Sequence, residues 1–141
     1  MFRVWLALDM NLPLAEVGRQ ARRAEALGCD VVTLADVACD AFLGAQAAIE
    51  ATSRVQVATS GLVCFARSPM VTAQLAWDLQ NYSGGRFALG IGTQIKGHNE
   101  RRYATPWPSA PGPRMREYVL CLRAMFRSFQ NPRAPEYRKA I

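Results

Sequence analysis

Apolar positions along this chain alternate between two rhythms, a short continuous run and a spacing of three and four. Residues 2–8 are rich in bulky apolar side chains and end at Asp9, which predicts a strand buried on both faces. Asn11 and Pro13 then open a helix whose Leu14, Val17, Ala21 and Ala24 share one face, and Gly28 supplies its C-terminal stop. A second strand is expected over residues 30–34. Asp40 is placed to cap a helix over residues 41–52, with Phe42, Ala45 and Ile49 on one face. Residues 55–61 read as a third strand, and Ser68-Pro69 as the start of a helix that ends at Ser83-Gly84-Gly85. The fourth strand, residues 86–91, runs into Gly92. A long segment, residues 93–112, follows it, and Met115, Val119, Leu122, Phe126 and Phe129 then mark a last helix.

Four strand–helix units thus follow one another, with strand starts at residues 2, 30, 55 and 86. Strands alternating with helices imply a parallel sheet with helical crossovers. An open doubly wound sheet and a segment of a (β/α)₈ barrel both fit, and periodicity alone does not choose between them. Trp5, Trp77 and Trp107 read as two core residues and one loop residue.

Composition narrows the function classes. Half of the 141 residues are hydrophobic, enough for a true core and too many for a disordered chain. The net charge of +6 invites a nucleic-acid reading, but the basic residues are spread in pairs such as Arg22-Arg23 and Arg101-Arg102. A run or a one-faced stripe would be the stronger footprint, so no specific nucleic-acid partner is expected. Cys29, Cys39, Cys64 and Cys121 form no C-x-x-C pair, and one histidine makes a closed zinc site a poor fit. Four reduced, mostly buried thiols are expected. With no signal-peptide pattern and no membrane-length apolar stretch, a cytoplasmic protein without a membrane partner is expected.

In a parallel α/β fold, ligands bind at the C-terminal ends of strands. Those ends hold Asp9, Asp36, Ser60 to Arg67, and Gly90 to Asn99. Asp9 and Asp36 either orient a ligand or cap the following helices. The G-I-G of Gly90 and Gly92 is either a close-approach cradle or a tight turn, and it lacks the third glycine of a dinucleotide fingerprint. His98 stands on the long polar segment, as a proton shuttle or as a solvated loop histidine.

Residues 67–103, RSPMVTAQLAWDLQNYSGGRFALGIGTQIKGHNERRY, continue into P-W-P at 106–108 and R-M-R-E-Y at 114–118. This stretch resembles the luciferase-like monooxygenase family, most closely its branch using the deazaflavin coenzyme F420. The S-G-G-R-F-x-L-G-I-G-T-Q core carries most of the specificity, and A-x-x-A-E-A-L-G-C-D at 21–30 agrees. The resemblance runs to about residue 130. It implies four βα units forming the N-terminal half of a (β/α)₈ barrel, residues 1–130, with residues 131–141 left as a poorly ordered tail.

The resemblance further implies hydride transfer between coenzyme F420, or alternatively FMN, and a small organic substrate. It places Ser60, Gly61, Gly90, Gly92 and Thr93 about the cofactor, with a non-proline cis peptide expected at Ser60-Gly61, and Asp9 joins these candidates from its place at the end of the first strand. Relatives commonly carry a histidine after the second strand, where this chain has Cys39 between Asp36 and Asp40. A thiol does not replace imidazole as a neutral-pH proton donor without a shifted pKa. The catalytic candidates are therefore His98, Cys39 and Asp36. A full barrel takes about 250 residues, so this chain is expected to be incomplete alone and to need a second copy or a C-terminal half. The alternative is a non-catalytic, truncated half-barrel that only oligomerises or is a gene fragment.

Overall fold

A computed structural model of the chain describes residues 2–131. The expected tail, apart from Asn131, lies outside the described residues. In chain order the elements are β1 (Trp5–Ala7), α1 (Leu14–Ala26), β2 (Val31–Leu34), α2 (Ala41–Ala51), β3 (Gln56–Thr59), β4 (Leu62–Val63), α3 (Pro69–Tyr82), β5 (Phe87–Ala88), β6 (Ile91–Gly92), α4 (Lys96–Arg102) and α5 (Pro111–Gln130). They fall into two compact units. The first holds residues up to 62 together with 78–92, and the second holds 63–77 with the residues from 93 onward.

The first unit is built on a four-stranded sheet in the order β1-β2-β3-β5, parallel throughout. Val31, Val32 and Leu34 of β2 are fully buried, as apolar side chains enclosed on both sheet faces should be. Val17, Ala21 and Ala24 of α1, with Phe42, Ala45 and Ile49 of α2, supply helical core residues at the spacing the sequence predicts. Gly28 takes φ +86°, and the N–H groups of Gly28 and Cys29 donate to the carbonyls of Glu25 and Ala24. This closes α1 in a Schellman turn that a Cβ at residue 28 would strain. Asp40 Oδ1 accepts from the N–H groups of Phe42 and Leu43, so the expected cap of α2 forms.

Three expectations need correction. β1 is exposed along its length, with Trp5 60% accessible, where burial on both faces was expected. It is an edge strand: it pairs with β2 on one side only, and among the described residues nothing covers its other edge. The fourth strand is not continuous from 86 to 91. It breaks at Leu89-Gly90 into β5 and β6, and β6 joins β4 in a separate two-stranded sheet. Finally, the segment from 93 to 112 contains α4, so His98 stands on a helix rather than a loop.

Before the start of β3, the Glu25 side chain closes a turn. Its carboxylate accepts from the backbone N–H groups of Ser53 at 3.1 Å, Arg54 at 2.7 Å and Val55 at 2.7 Å. Burial pushes this carboxyl up, but the three N–H donors and the Arg54 charge outweigh it and hold the group below its usual 4.5. A carboxyl depressed on folding stabilises fully above its unfolded pKa, and that stability is lost as pH falls through the native value. Glu25→Gln is therefore expected to lower the unfolding free energy by about 2 kcal/mol at pH 7. In urea melts the gap from wild type should shrink below about pH 4.

In the second unit, Trp77 stacks on Phe126 and meets Phe129 edge-on, with centroids 6.5 and 5.5 Å apart. The Thr72 and Tyr118 hydroxyls lie 2.6 Å apart within this packing. Trp107 meets Phe65 edge-on at 5.8 Å. Trp77 and Trp107 are each half-buried, so the exposed Trp5 is the one that departs from the core expected of it. Among the described residues no helix is long and apolar enough to cross a membrane.

Candidate functional site

The sheet register fixes which candidate residues share an end of the first unit. Ala7, Thr33, Ala58 and Ala88 form one row across the four strands. Two residues further along each strand come Asp9, Ala35, Ser60 and Gly90, and one more adds Asp36 and Gly61. Backbone bonds carry the row past the regular ladder. Leu8 N donates to Thr33 O, Ser60 N to Leu34 O, and Leu62 N to Gly90 O. Sequence-distant positions from 9 to 90 therefore gather along one rim, at the strand C-terminal ends.

Each rim residue is held by identifiable bonds. The Asp9 carboxylate accepts from the backbone N–H and the side-chain amide of Asn11, closing a local turn. Gln20 of α1 grips Asp9 from behind, its Oε1 accepting from Asp9 N at 2.9 Å. Asp36 is buried and accepts from Ala41 N at 3.0 Å, so it joins Asp40 at the N-terminus of α2. Cys39 N donates to Met10 O, and its thiol donates to Leu12 O at 3.3 Å. These two bonds tie the loop after β2 to the loop after β1.

The rim tightens between β3 and the broken fourth strand. A Cβ added to Gly90 would sit 2.1 Å from Thr59 O, and one on Gly92 would sit 3.3 Å from Gly61 Cα. The G-I-G glycines thus permit strand-to-strand approach, a reason that a motif search cannot supply. Ser60 and Gly61 are exposed, Gly61 takes φ +84°, and no described peptide bond is cis. The expected cis bond at Ser60-Gly61 is absent because a glycine at positive φ makes this turn on a trans backbone.

Thr93 and His98 belong to the second unit. Thr93 Oγ1 donates to the carbonyl of Gln94, a non-glycine residue at φ 57°. His98 is exposed on α4. Asn99 beside it is fully buried, and its amide donates to Thr93 O at 2.8 Å and Ile95 O at 3.1 Å, which shapes the entry to α4. Of the four cysteines only Cys64 is fully buried, the others being half-buried. Burial pushes the Cys64 thiol up to about 11, so it stays neutral and unreactive at physiological pH. Burial likewise raises the Tyr118 phenol.

The signature of luciferase-like monooxygenases matches residues 1–139. This chain belongs to the luciferase-like monooxygenase family. Among relatives of known sequence, an uncharacterised protein of Mycobacterium tuberculosis is 44% identical over 128 residues, which is 89% of this chain and 37% of the relative. A putative coenzyme F420-dependent oxidoreductase of the same species is 34% identical over 104 residues, 73% of this chain and 30% of that one. The luciferase-like chain described here therefore spans about a third of the length of these relatives.

Solved structures agree on the fold. The oxygenating constituent of 3,6-diketocamphane monooxygenase from Pseudomonas putida, in complex with FMN, superimposes with a TM-score of 0.74 at 15% identity. It is matched over 86% of this chain and 39% of its own. A monooxygenase from Streptomyces bottropensis gives 0.75 at 19% identity, over 86% of this chain and 42% of its own. The four βα units are those of the family's N-terminal half-barrel, in place of the open doubly wound sheet that periodicity also allowed.

Proposed function

We propose that the strand-end rim of the first unit holds a planar flavin-type ring for hydride transfer with a small organic substrate. The observation that carries this reading is the row Asp9, Ala35, Ser60 and Gly90, in which the close approach at Gly90 leaves backbone rather than side chain at the rim. Such a surface suits a flat ring, since bare backbone permits close approach. Asp9, Ser60, Gly61, Gly90 and Gly92 are the cofactor-facing candidates of this rim, and Thr93 is the candidate of the second unit. Coenzyme F420 is the first choice, supported by the relative named for it, and FMN the alternative, supported by the FMN-bound neighbour.

Either ring, when bound, exchanges a hydride with the substrate. A substrate that takes up a hydride also needs a proton, for which Cys39 and Asp36 are the candidates of the first unit and His98 that of the second. The Cys39 thiol is committed to Leu12 O, and the Asp36 carboxylate to the N-terminus of α2. His98 keeps its ring exposed on α4.

The reading includes a partner. β1 leaves one edge unpaired among the described residues, and Phe2, Val4, Trp5 and Leu6 are exposed along it. An apolar edge strand of this kind templates pairing with another chain. A second copy, or a chain carrying the remaining βα units, would cover it. The test is fluorescence titration of the full chain with oxidised and reduced coenzyme F420 and FMN, with solution mass measured alongside. Saturable binding by a dimer or a complemented chain is expected. A monomer that binds neither ring removes the oxidoreductase reading and leaves a non-catalytic half-barrel.

A further inference from the structure

We infer that Thr59 is a positioning residue for the cofactor rim, an assignment that rests on the ring-holding reading. Regular pairing between β3 and β5 ends at Ala58 and Ala88. Pairing resumes beyond a two-residue interruption in each strand, Ser60-Gly61 on one and Leu89-Gly90 on the other, where β4 meets β6. The Thr59 hydroxyl bridges this gap. It accepts from Gly90 N at 2.8 Å and donates to Gly90 O at 2.9 Å, while the Thr59 side chain is 3% exposed. The same Gly90 carbonyl accepts from Leu62 N at 3.1 Å.

A single hydroxyl therefore satisfies both polar groups of the one rim glycine that no side chain could replace. Without it, the N–H of Gly90 would lose its partner at the point where the two strands part. The consequence is geometric. Ser60-Gly61 and Gly90-Gly92 keep their separation because Thr59 holds the carbonyl–amide pair of Gly90 at a fixed distance. Thr59 contacts no substrate or ring in this scheme and acts through the backbone of Gly90.

The experiment compares Thr59→Val, which keeps the shape and removes the hydroxyl, with Thr59→Ser, which keeps the hydroxyl. FMN and coenzyme F420 are titrated against each full-length chain, and amide hydrogen exchange is followed at Gly90 and Leu62. Thr59→Val is expected to weaken ring binding about tenfold or more and to speed Gly90 exchange by a similar factor. Thr59→Ser should stay within about threefold of wild type in both. Wild-type affinity in Thr59→Val, or equal loss in Thr59→Ser, overturns the assignment while leaving the ring-holding reading intact. If the wild-type chain binds neither ring, that reading fails instead. Unchanged Gly90 exchange in Thr59→Val would separately refute the bridge.

Discussion

Gly90→Ala is expected to lose at least about 3 kcal/mol of stability and all measurable ring binding, with urea melts and FMN titration as the readouts. The added methyl would lie 2.1 Å from Thr59 O, a backbone atom held in β3 by the parallel ladder. A flexible side chain could swing aside, but a carbonyl fixed between two paired strands moves only if the strand moves. Relief would require β3 and the fourth strand to separate. That separation would break the Thr59 bonds and the Leu62 N to Gly90 O bond together. Stability and rim geometry should therefore fail at once. Gly92→Ala meets Gly61 Cα at 3.3 Å, a contact that a few tenths of an ångström would relieve, so its effect should be smaller.

Arg86→Ala is expected to cost about 3 kcal/mol, seen as a fall of about 10 °C in the unfolding midpoint. All five N–H donors of this guanidinium reach oxygen. Nε donates to Ser83 O, Nη1 to Thr52 Oγ1 and Val55 O, and Nη2 to Ile49 O and Thr52 O. Two of these acceptors are carbonyls at the C-terminal end of α2, where a cation also meets the negative end of the helix dipole. Arg86 thereby joins the start of β5 to the end of α2 and the start of β3. Arg86→Lys should recover less than half of the loss, because an ammonium cannot present five donors in a planar fork. A drop below about 1 kcal/mol in Arg86→Ala would show that water replaces these contacts readily.

Much of this architecture is written locally. The strand-forming run at Val31 to Leu34, the Asp40 cap, the Ser68-Pro69 start and the Gly28 stop each act within a few residues of themselves. Ser68 Oγ, for instance, accepts from Val71 N at 3.2 Å, as its place before Pro69 predicts. The exposed face of β1 could not be read in this way. Whether Trp5 is buried depends on what pairs with the strand's other edge, and nothing within a window around residue 5 encodes that.

The break in the fourth strand was hidden for a related reason. Phe87 to Ile91 is a nearly continuous apolar run, and the Gly90 at its break is bonded to Thr59, 31 positions earlier in the chain. Thr59 itself looks like an ordinary β-branched strand residue, so its role appears only once its hydroxyl is placed. α4 also lacked a signal, because its N-cap is Ile95 and no side chain caps it. The strand-end residues were legible as a group, since parallel α/β topology dictates that end. The bonds that commit Asp36 and Cys39 to backbone partners were not.

The central claim is that the rim formed by Ser60-Gly61 and Gly90-Gly92 receives the ring. Backbone amide shifts of the full chain, recorded while coenzyme F420 or FMN is added, test it most directly. The largest changes are expected at Gly61, Leu62, Gly90 and Gly92, with Ser53, Arg54 and Val55 at the other end of the sheet unmoved. Shifts centred away from those glycines, or none at saturating cofactor, would contradict it.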